Sequence, residues 1–247
     1  MYTYETRIRY SEVDCENRLM LGRLLDYFQD CSTFQSEDLG LGVKYLQERH
    51  QVWLLSAWQI DVERYPEIGE RVEVGTMPYD FRGFIGYRNF WMKDREGARL
   101  AVANSIWTLF DLEKGKPAMP DQKMKDGYQI GPKLEMEYLP RKIAIPKEGE
   151  ARPELIIAKH HLDTNRHVNN GQYVHIALEY PEEDFVIRRL RAEYKKQAYL
   201  GDTFYPVVCK REGVYTISLN DEKGQPYAVV ELTGERRPDG RECKFSE

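Results

Sequence analysis

Leu21-Gly22-Arg23-Leu24-Leu25-Asp26-Tyr27-Phe28-Gln29-Asp30-Cys31 carries a single apolar stripe. Leu21, Leu24, Leu25, Phe28 and Cys31 fall at i, i+3, i+4, i+7 and i+10, one face of an α-helix. The spacing predicts a helix over 21–39, with Gly40 as its C-cap. Upstream, residues 4–10 alternate like a strand. Downstream, the period becomes strand-like. Strands are predicted at 52–63, 70–77, 83–93 and 99–111, separated by turn residues at Pro66 to Gly69, Asp80 to Gly83 and Asp94 to Gly97.

The same order returns after residue 154. A strand is predicted at 155–162 and a helix at 169–180, with Tyr173, Ile176, Ala177 and Tyr180 on one side. Strands follow at 186–196, 203–210, 213–220 and 226–236. Local echoes keep step. Asp221-Glu222-Lys223-Gly224 echoes Asp94-Arg95-Glu96-Gly97, and Asp163-Thr164-Asn165-Arg166 resembles Asp14-Cys15-Glu16-Asn17-Arg18. Leu200-Gly201-Asp202 likewise resembles Ile68-Gly69-Glu70. Their matching order reads as a duplication. Residues 128–154 hold Pro132, Pro140, Pro146 and Pro153 without a helical period, so a linker is expected there. The expected fold class is α+β. Two tandem units, 1–127 and 155–247, would each set an antiparallel sheet against a helix.

Composition narrows the function classes. The 247 residues carry 36 Lys+Arg and 41 Asp+Glu, a net charge of −5. A pI of about 5.7 argues against generic nucleic-acid binding, which needs a basic face. The longest stretches free of Asp, Glu, Lys and Arg are 167–178 and 100–110, 12 and 11 residues, against about 20 for a membrane helix. The start Met1-Tyr2-Thr3-Tyr4-Glu5 has no signal-peptide pattern, and a cytoplasmic location is expected. Cys15, Cys31, Cys209 and Cys243 are scattered and never spaced as CxxC, so free thiols are expected.

The densest polar cluster runs from His160 to Tyr173, from a strand end into a helix start. Asp163, Asn165 and His167 lie at i, i+2 and i+4, which a looping backbone would aim to one side. Asn169 or Asn170 suits an N-cap, and the helix start would offer N–H groups to a developing oxyanion. Acyl-transfer or hydrolytic chemistry fits. The plain structural alternative is an Asx-rich turn that satisfies backbone groups only. A metal site on His160, His161, Asp163 and His167 is disfavoured, because adjacent His160 and His161 would point to opposite faces of a strand. No metal is expected.

Asp-x-Asn-x-His-Val-Asn-Asn-x-x-Tyr, from Asp163 to Tyr173, resembles the signature of acyl-[acyl carrier protein] thioesterases of bacterial and plant-plastid type. Trp58 to Pro66, Gly83 to Phe90 and Ala103 to Trp107 resemble that family too, so the resemblance spans nearly the whole chain. It implies two tandem hot-dog domains. The first shapes the acyl pocket, and the second carries Asp163, Asn165 and His167 as catalytic residues. It implies a fatty acyl chain and acyl carrier protein as partners, with no cofactor beyond the phosphopantetheine on the substrate. The plant pattern ends a later segment in Glu-Cys, where this chain has Gln197 and Ala198. A cysteine nucleophile is impossible there. Gln197 cannot be a base but could orient water or bind an oxyanion.

An acidic carrier needs a basic surface. Arg188, Arg189, Arg191, Lys195 and Lys196 supply five cations in nine residues, opposed only by Glu193. A solvated strand face is the plain alternative. Leu24, Leu25, Phe28, Trp53 and Trp58 are candidates for the acyl pocket, with core packing as the competing reading. An acyl-CoA thioesterase and a non-catalytic acyl-thioester sensor are the alternative functions. Self-association as a homodimer stays open.

Overall fold

A computed structural model describes residues 1–237. The chain divides into two compact units, Met1–Tyr138 and Leu139–Glu247.

The first unit opens with β1 (Tyr2–Arg7), then α1 (Leu21–Asp38) and the short α2 (Val43–Gln47). Four long strands follow: β2 (Gln51–Val62), β3 (Arg71–Arg82), β4 (Ile85–Asp94) and β5 (Arg99–Asp111). The two-residue β6 (Lys116–Pro117) and α3 (Gln122–Tyr128) close it. The sheet is antiparallel in the order β1-β3-β4-β5-β2. The strands predicted at 52–63, 83–93 and 99–111 fall within two residues of their observed spans, whereas the one at 70–77 runs on to Arg82, through part of the turn expected at Asp80 to Gly83.

Helix α1 lies on β3 and β1. Its predicted stripe is the buried face. Leu24, Leu25, Phe28 and Cys31 are at most 1% exposed. The Phe28 ring centroid lies 5.4 Å from Phe90 and 6.4 Å from Trp58, and Trp58 lies 4.8 Å from Phe90. Burying a side chain of this size is worth about 1.5–3 kcal/mol. The helix stops at Leu39, and Gly40 takes φ 64°, the left-handed conformation that ends helices.

The second unit contains β7 (Glu150–Ala151), β8 (Leu155–Ile156), α4 (Asn170–Ala177), β9 (Phe185–Tyr194), β10 (Thr203–Arg211), β11 (Val214–Asn220) and β12 (Pro226–Arg236). Its sheet is antiparallel in the order β9-β12-β11-β10-β7, with β8 also on β10 and α4 packed on β12. The predicted strand 155–162 is shorter than expected. Only 155–156 pairs, and Lys159–His161 turns as a 3₁₀ helix. The helix is also shorter than 169–180.

The Pro-rich stretch expected as a linker is packed at both ends. Leu134 and Met136 sit against Met77, Trp91 and Val102 of the first unit. In the second, the Ile143 N–H donates to Glu193 Oε2 at 3.1 Å, and β7 pairs with β10. Cys31 and Cys209 are free. Cys15 is not a free thiol, which corrects the expectation, and Cys243 lies outside the described residues. No helix among the described residues is long and apolar enough to cross a membrane.

Candidate active site

The loop from Leu162 to Val168 is pinched shut by an antiparallel bridge between those two residues. Inside it, Asp163 Oδ1 accepts the N–H groups of Asn165 at 2.8 Å and His167 at 3.2 Å. The Asp163 N–H donates to the His167 carbonyl at 2.8 Å, and the Arg166 N–H to the Asp163 carbonyl at 3.1 Å. Arg166 takes φ 62°, a conformation that costs a non-glycine residue about 1–2 kcal/mol. The Asp163 carboxylate therefore builds the turn, as the plain Asx reading expected.

The same turn occurs three more times among the described residues. Asp14 Oδ1 accepts from Glu16 and Arg18 at 2.9 and 3.0 Å, with Asn17 at φ 63°. Asp94 Oδ1 accepts from Glu96 and Ala98 at 3.1 and 2.8 Å, with Gly97 at φ 83°. Asp221 Oδ1 accepts from Lys223 and Gln225 at 2.9 and 2.8 Å, with Gly224 at φ 74°. What differs is the second carboxylate oxygen. Arg64 reaches Asp94 Oδ2 at 3.4 Å, and Lys196 reaches Asp221 Oδ2 at 2.5 Å. Asp163 Oδ2 has no hydrogen bond among the described residues. Asp14 shares that opening, but Glu16 and Arg18 stand where the later copy has Asn165 and His167.

Two neighbours hold the loop. The Val168 N–H donates to the Ala198 carbonyl at 2.9 Å, and the Ala198 N–H to Tyr173 Oη at 3.0 Å. His167 bridges Tyr199, and their rings meet edge to face at 4.9 Å. Burial raises the Tyr173 hydroxyl pKa strongly, so it stays a neutral anchor. Tyr173, the last residue of the Asp163–Tyr173 motif, thus anchors the loop in addition to lying on the helix stripe. Gln197 is exposed beside the fully buried Ala198, on the segment that pairs with the loop. Asn165 is exposed, while Asp163 and His167 are half-buried.

Helix α4 starts where expected, with Asn169 as N-cap and Asn170 as first residue. The cap uses donors an oxyanion could have taken. The Gly171 N–H bonds Asn169 Oδ1 at 2.8 Å, and the Gln172 N–H bonds the Asn169 carbonyl at 2.9 Å. Behind the loop, His161 Nδ1 accepts the Ala158 N–H at 3.0 Å, and burial and His160 lower its pKa. That nitrogen is committed to the backbone. The described residues contain no group of three or more His, Cys, Asp and Glu arranged to hold a metal.

The basic segment is largely ion-paired within its own unit. Arg188 meets Glu235 at 3.1 Å, Arg191 meets Glu231 at 2.6 Å, Lys195 meets Glu193 at 3.0 Å and Lys196 meets Asp221 at 2.5 Å. Arg191 is the most enclosed, and its Nη2 also bonds the Pro140 carbonyl at 2.5 Å. Arg189 lies half-buried on β9 opposite Thr233.

Of the five pocket candidates, Leu24, Leu25, Phe28 and Trp58 belong to the core, each at most 2% exposed. Trp53 lines a cavity of about 150 Å³ in the first unit, with Leu46, Phe81, Tyr87, Trp107 and Tyr128. From α1 the cavity takes Ser32, Thr33, Ser36 and Glu37, on the turns beyond the C-terminal end of the apolar stripe.

Comparison with known proteins agrees with this architecture. The profile described as acyl-ACP thioesterase N-terminal domain matches residues 1–128. A chloroplastic acyl-[acyl-carrier-protein] hydrolase of Cuphea viscosissima is 25% identical over 207 residues, covering 77% of this chain and 50% of the relative. A chloroplastic oleoyl-acyl carrier protein thioesterase of Arabidopsis thaliana is 26% identical over 207 residues, covering 77% and 54%. The chain spans about half the length of the curated relatives it matches. Among solved structures, an acyl-ACP thioesterase from Bacteroides thetaiotaomicron superposes with a TM-score of 0.86 at 24% identity, covering 94% of this chain and 97% of that one. A 12:0-ACP thioesterase from Umbellularia californica gives 0.84 at 18%, covering 96% and 97%. These likenesses establish the tandem hot-dog fold.

Proposed function

The chain belongs to the acyl-ACP thioesterase family, and from that premise we propose that it hydrolyses the thioester of a fatty acyl-[acyl carrier protein], releasing free fatty acid. The observation that carries this reading is the turn at Asp163. It repeats an architectural device, yet it alone combines an open second carboxylate oxygen with Asn165 and His167 at the neighbouring positions.

Thioester hydrolysis asks for modest help. The leaving thiol has an ordinary pKa near 8.5 and departs without a strong acid. Water must be activated and the tetrahedral oxyanion held. His167 takes the proton from water, and the open Asp163 oxygen orders that water and stabilises the imidazolium. Asn165 donates to the thioester oxygen, and Gln197 assists from the adjoining segment. No cofactor enters this route, since the phosphopantetheine belongs to the substrate. The exposed members of the basic segment, Arg188, Lys195 and Lys196, steer an acidic carrier.

Release of free fatty acid from a mixed pool of acyl carriers tests activity, carrier and chain length together. Faster release from acyl-CoA than from carrier protein at one chain length would move the substrate class. Binding without turnover would make the protein a sensor. An acyl group trapped on Asp163 would replace the direct attack of water.

A further inference from the structure

A buried cation without a counter-ion borders the cavity of the first unit. Arg88 on β4 is 8% exposed and belongs to the cavity wall. Its Nη1 donates to Gln35 Oε1 and, at 3.2 Å, to Thr76 Oγ1. Its Cζ lies 5.3 Å from the Tyr128 ring centroid. No carboxylate among the described residues pairs with it. Cys31 is nearby, but burial pushes that thiol up to about 12, so it carries no compensating charge at neutral pH. Burial also opposes the charge on Arg88, yet a guanidinium stays protonated in proteins.

Nε and Nη2 of Arg88 have no hydrogen-bond partner among the described residues, and neither is among the polar atoms sealed off without one. They are reachable by a water-sized group. Together they form the edge of the guanidinium that takes a carboxylate in two parallel bonds. The rest of the wall is mostly apolar, with Trp53, Phe81, Leu46 and Trp107. A cavity of about 150 Å³ accepts a benzene-sized body, so about six carbons fit. Exposed Thr33, Glu37 and Val43 mark the mouth, and the Glu37 carboxylate there, bonded to the Val43 N–H at 2.8 Å, disfavours a second carboxylate beside it. Charge thus orders the cavity, with an anion favoured at Arg88 and disfavoured at the entrance.

We propose that this cavity binds an aliphatic monocarboxylate head-first, with the carboxylate on Nε and Nη2 of Arg88 and a chain of about six carbons along Trp53 and Phe81. An acyl thioester chain would present a methyl group at its inner end, so the occupant differs from the proposed substrate. Free fatty acid is the product class of the proposed reaction. The site itself goes beyond that reading, because binding requires no turnover.

The test is a titration of the full chain with hexanoate, hexanamide and 1-hexanol, followed by tryptophan fluorescence, since Trp53 and Trp107 line the cavity. Hexanoate should change the signal saturably, with a Kd at least about tenfold below hexanamide, as a lost charge-assisted pair implies. Arg88→Met should erase that preference, and Arg88→Lys should keep part of it. Equal affinity for hexanoate and hexanamide on the unaltered protein overturns the proposal and needs no variant. Gly86→Ala supplies a second variant, because its added Cβ would lie 3.1 Å from Phe81 and 3.3 Å from Trp53. It should weaken hexanoate and hexanamide alike, and undiminished hexanoate binding would place the ligand elsewhere and overturn the site. The binding result stands or falls whether or not acyl carriers are hydrolysed.

Discussion

Asp163→Asn separates the architectural use of this carboxylate from its chemical use. Asparagine keeps the oxygen that accepts from Asn165 and His167, and it is at home in such turns. What it loses is charge. A hydrogen bond to a charged group is worth about 1.5–3 kcal/mol and a neutral one about 0.5–1.5, a difference of about 1 per bond. Two bonds give about 2 kcal/mol, and solvent screening at this half-buried site brings the cost to about 1. That is a fall in Tm of about 2–4 °C for a chain of this size. Asp14→Asn is the internal control, because its two bonds have nearly the same lengths and its second oxygen is also open. The two variants should melt within a degree or two of each other, about what equal bonds imply. Turnover should diverge. Asp163→Asn should lower kcat by about 10²-fold or more, the scale of a lost acid–base partner, while Asp14→Asn should leave it unchanged. Thermal melts and steady-state release from one acyl carrier provide both readings. Equal turnover in the two variants would confine Asp163 to the turn and refute its place in the chemistry.

His167→Ala and Asn165→Ala should each lower kcat by about 10²–10⁴-fold, with little change in Tm for exposed Asn165 and a loss of about 0.5–1.5 kcal/mol for His167, whose ring packs on Tyr199; wild-type turnover in both would dismiss the site. Raising salt from about 0.05 to 0.5 M should lower kcat/KM for a carrier-bound substrate severalfold and spare kcat, because exposed charges are screened; a salt-insensitive kcat/KM would remove the basic segment from docking. Cys31, buried and raised to about 12, should resist thiol reagents at pH 8 in the folded protein, whereas half-buried Cys209 reacts; rapid native labelling of Cys31 would contradict its burial. Glu182 is held down to about 2, first by Lys210 and then by Arg236. Its folded pKa lies below its unfolded value near 4.5, so its stabilisation is present above about 4.5 and lost as pH falls towards about 2. Glu182→Gln should therefore be less stable than wild type at neutral pH and converge with it at acid pH; a gap that persists below pH 2 would contradict this linkage.

Periodicity made most of the fold readable. The stripe from Leu21 to Cys31 had to face a core, and the alternating runs after residue 50 had to pair. The stretch 155–162 misled because its apolar residues suit a strand. His161 instead uses Nδ1 to accept the Ala158 N–H and turns the chain early. The loop was visible as a polar cluster, but its geometry was not. A hydrogen bond from Oδ1 to residues two and four ahead leaves no periodic trace, although the echo of Asp221 with Asp94 was a hint. The cavity was hardest to see. Apolar content pointed to Leu24, Leu25 and Phe28, which are core because they are apolar. The wall from the same helix is polar, Ser32, Thr33, Ser36 and Glu37, which hydrophobicity passes over. Arg88 lies on β4, and it is buried by residues distant in sequence, Gln35 of α1 and Tyr128 of α3.

The four aspartate turns show how a duplicated scaffold becomes a site without new backbone. Each closes a short loop with the same pair of bonds, so selection on folding explains the aspartate in every copy. In the two hairpins a glycine holds the left-handed position, and a cation takes the spare oxygen. Those turns are electrostatically complete. In the two loops ahead of α1 and α4 the left-handed position falls to Asn17 and Arg166, and the spare oxygen is left open. At Arg166 the left-handed conformation costs about 1–2 kcal/mol, whereas asparagine at Asn17 adopts it readily. Only the second loop couples the open oxygen to Asn165 and His167, and only there does the next segment bring Gln197 alongside. An open carboxylate oxygen acquires a chemical use only beside Asn165 and His167, which the Asp14 loop replaces with Glu16 and Arg18. The discriminating variant is Asp163→Asn measured against Asp14→Asn, since the two positions share the turn and differ only in what surrounds it.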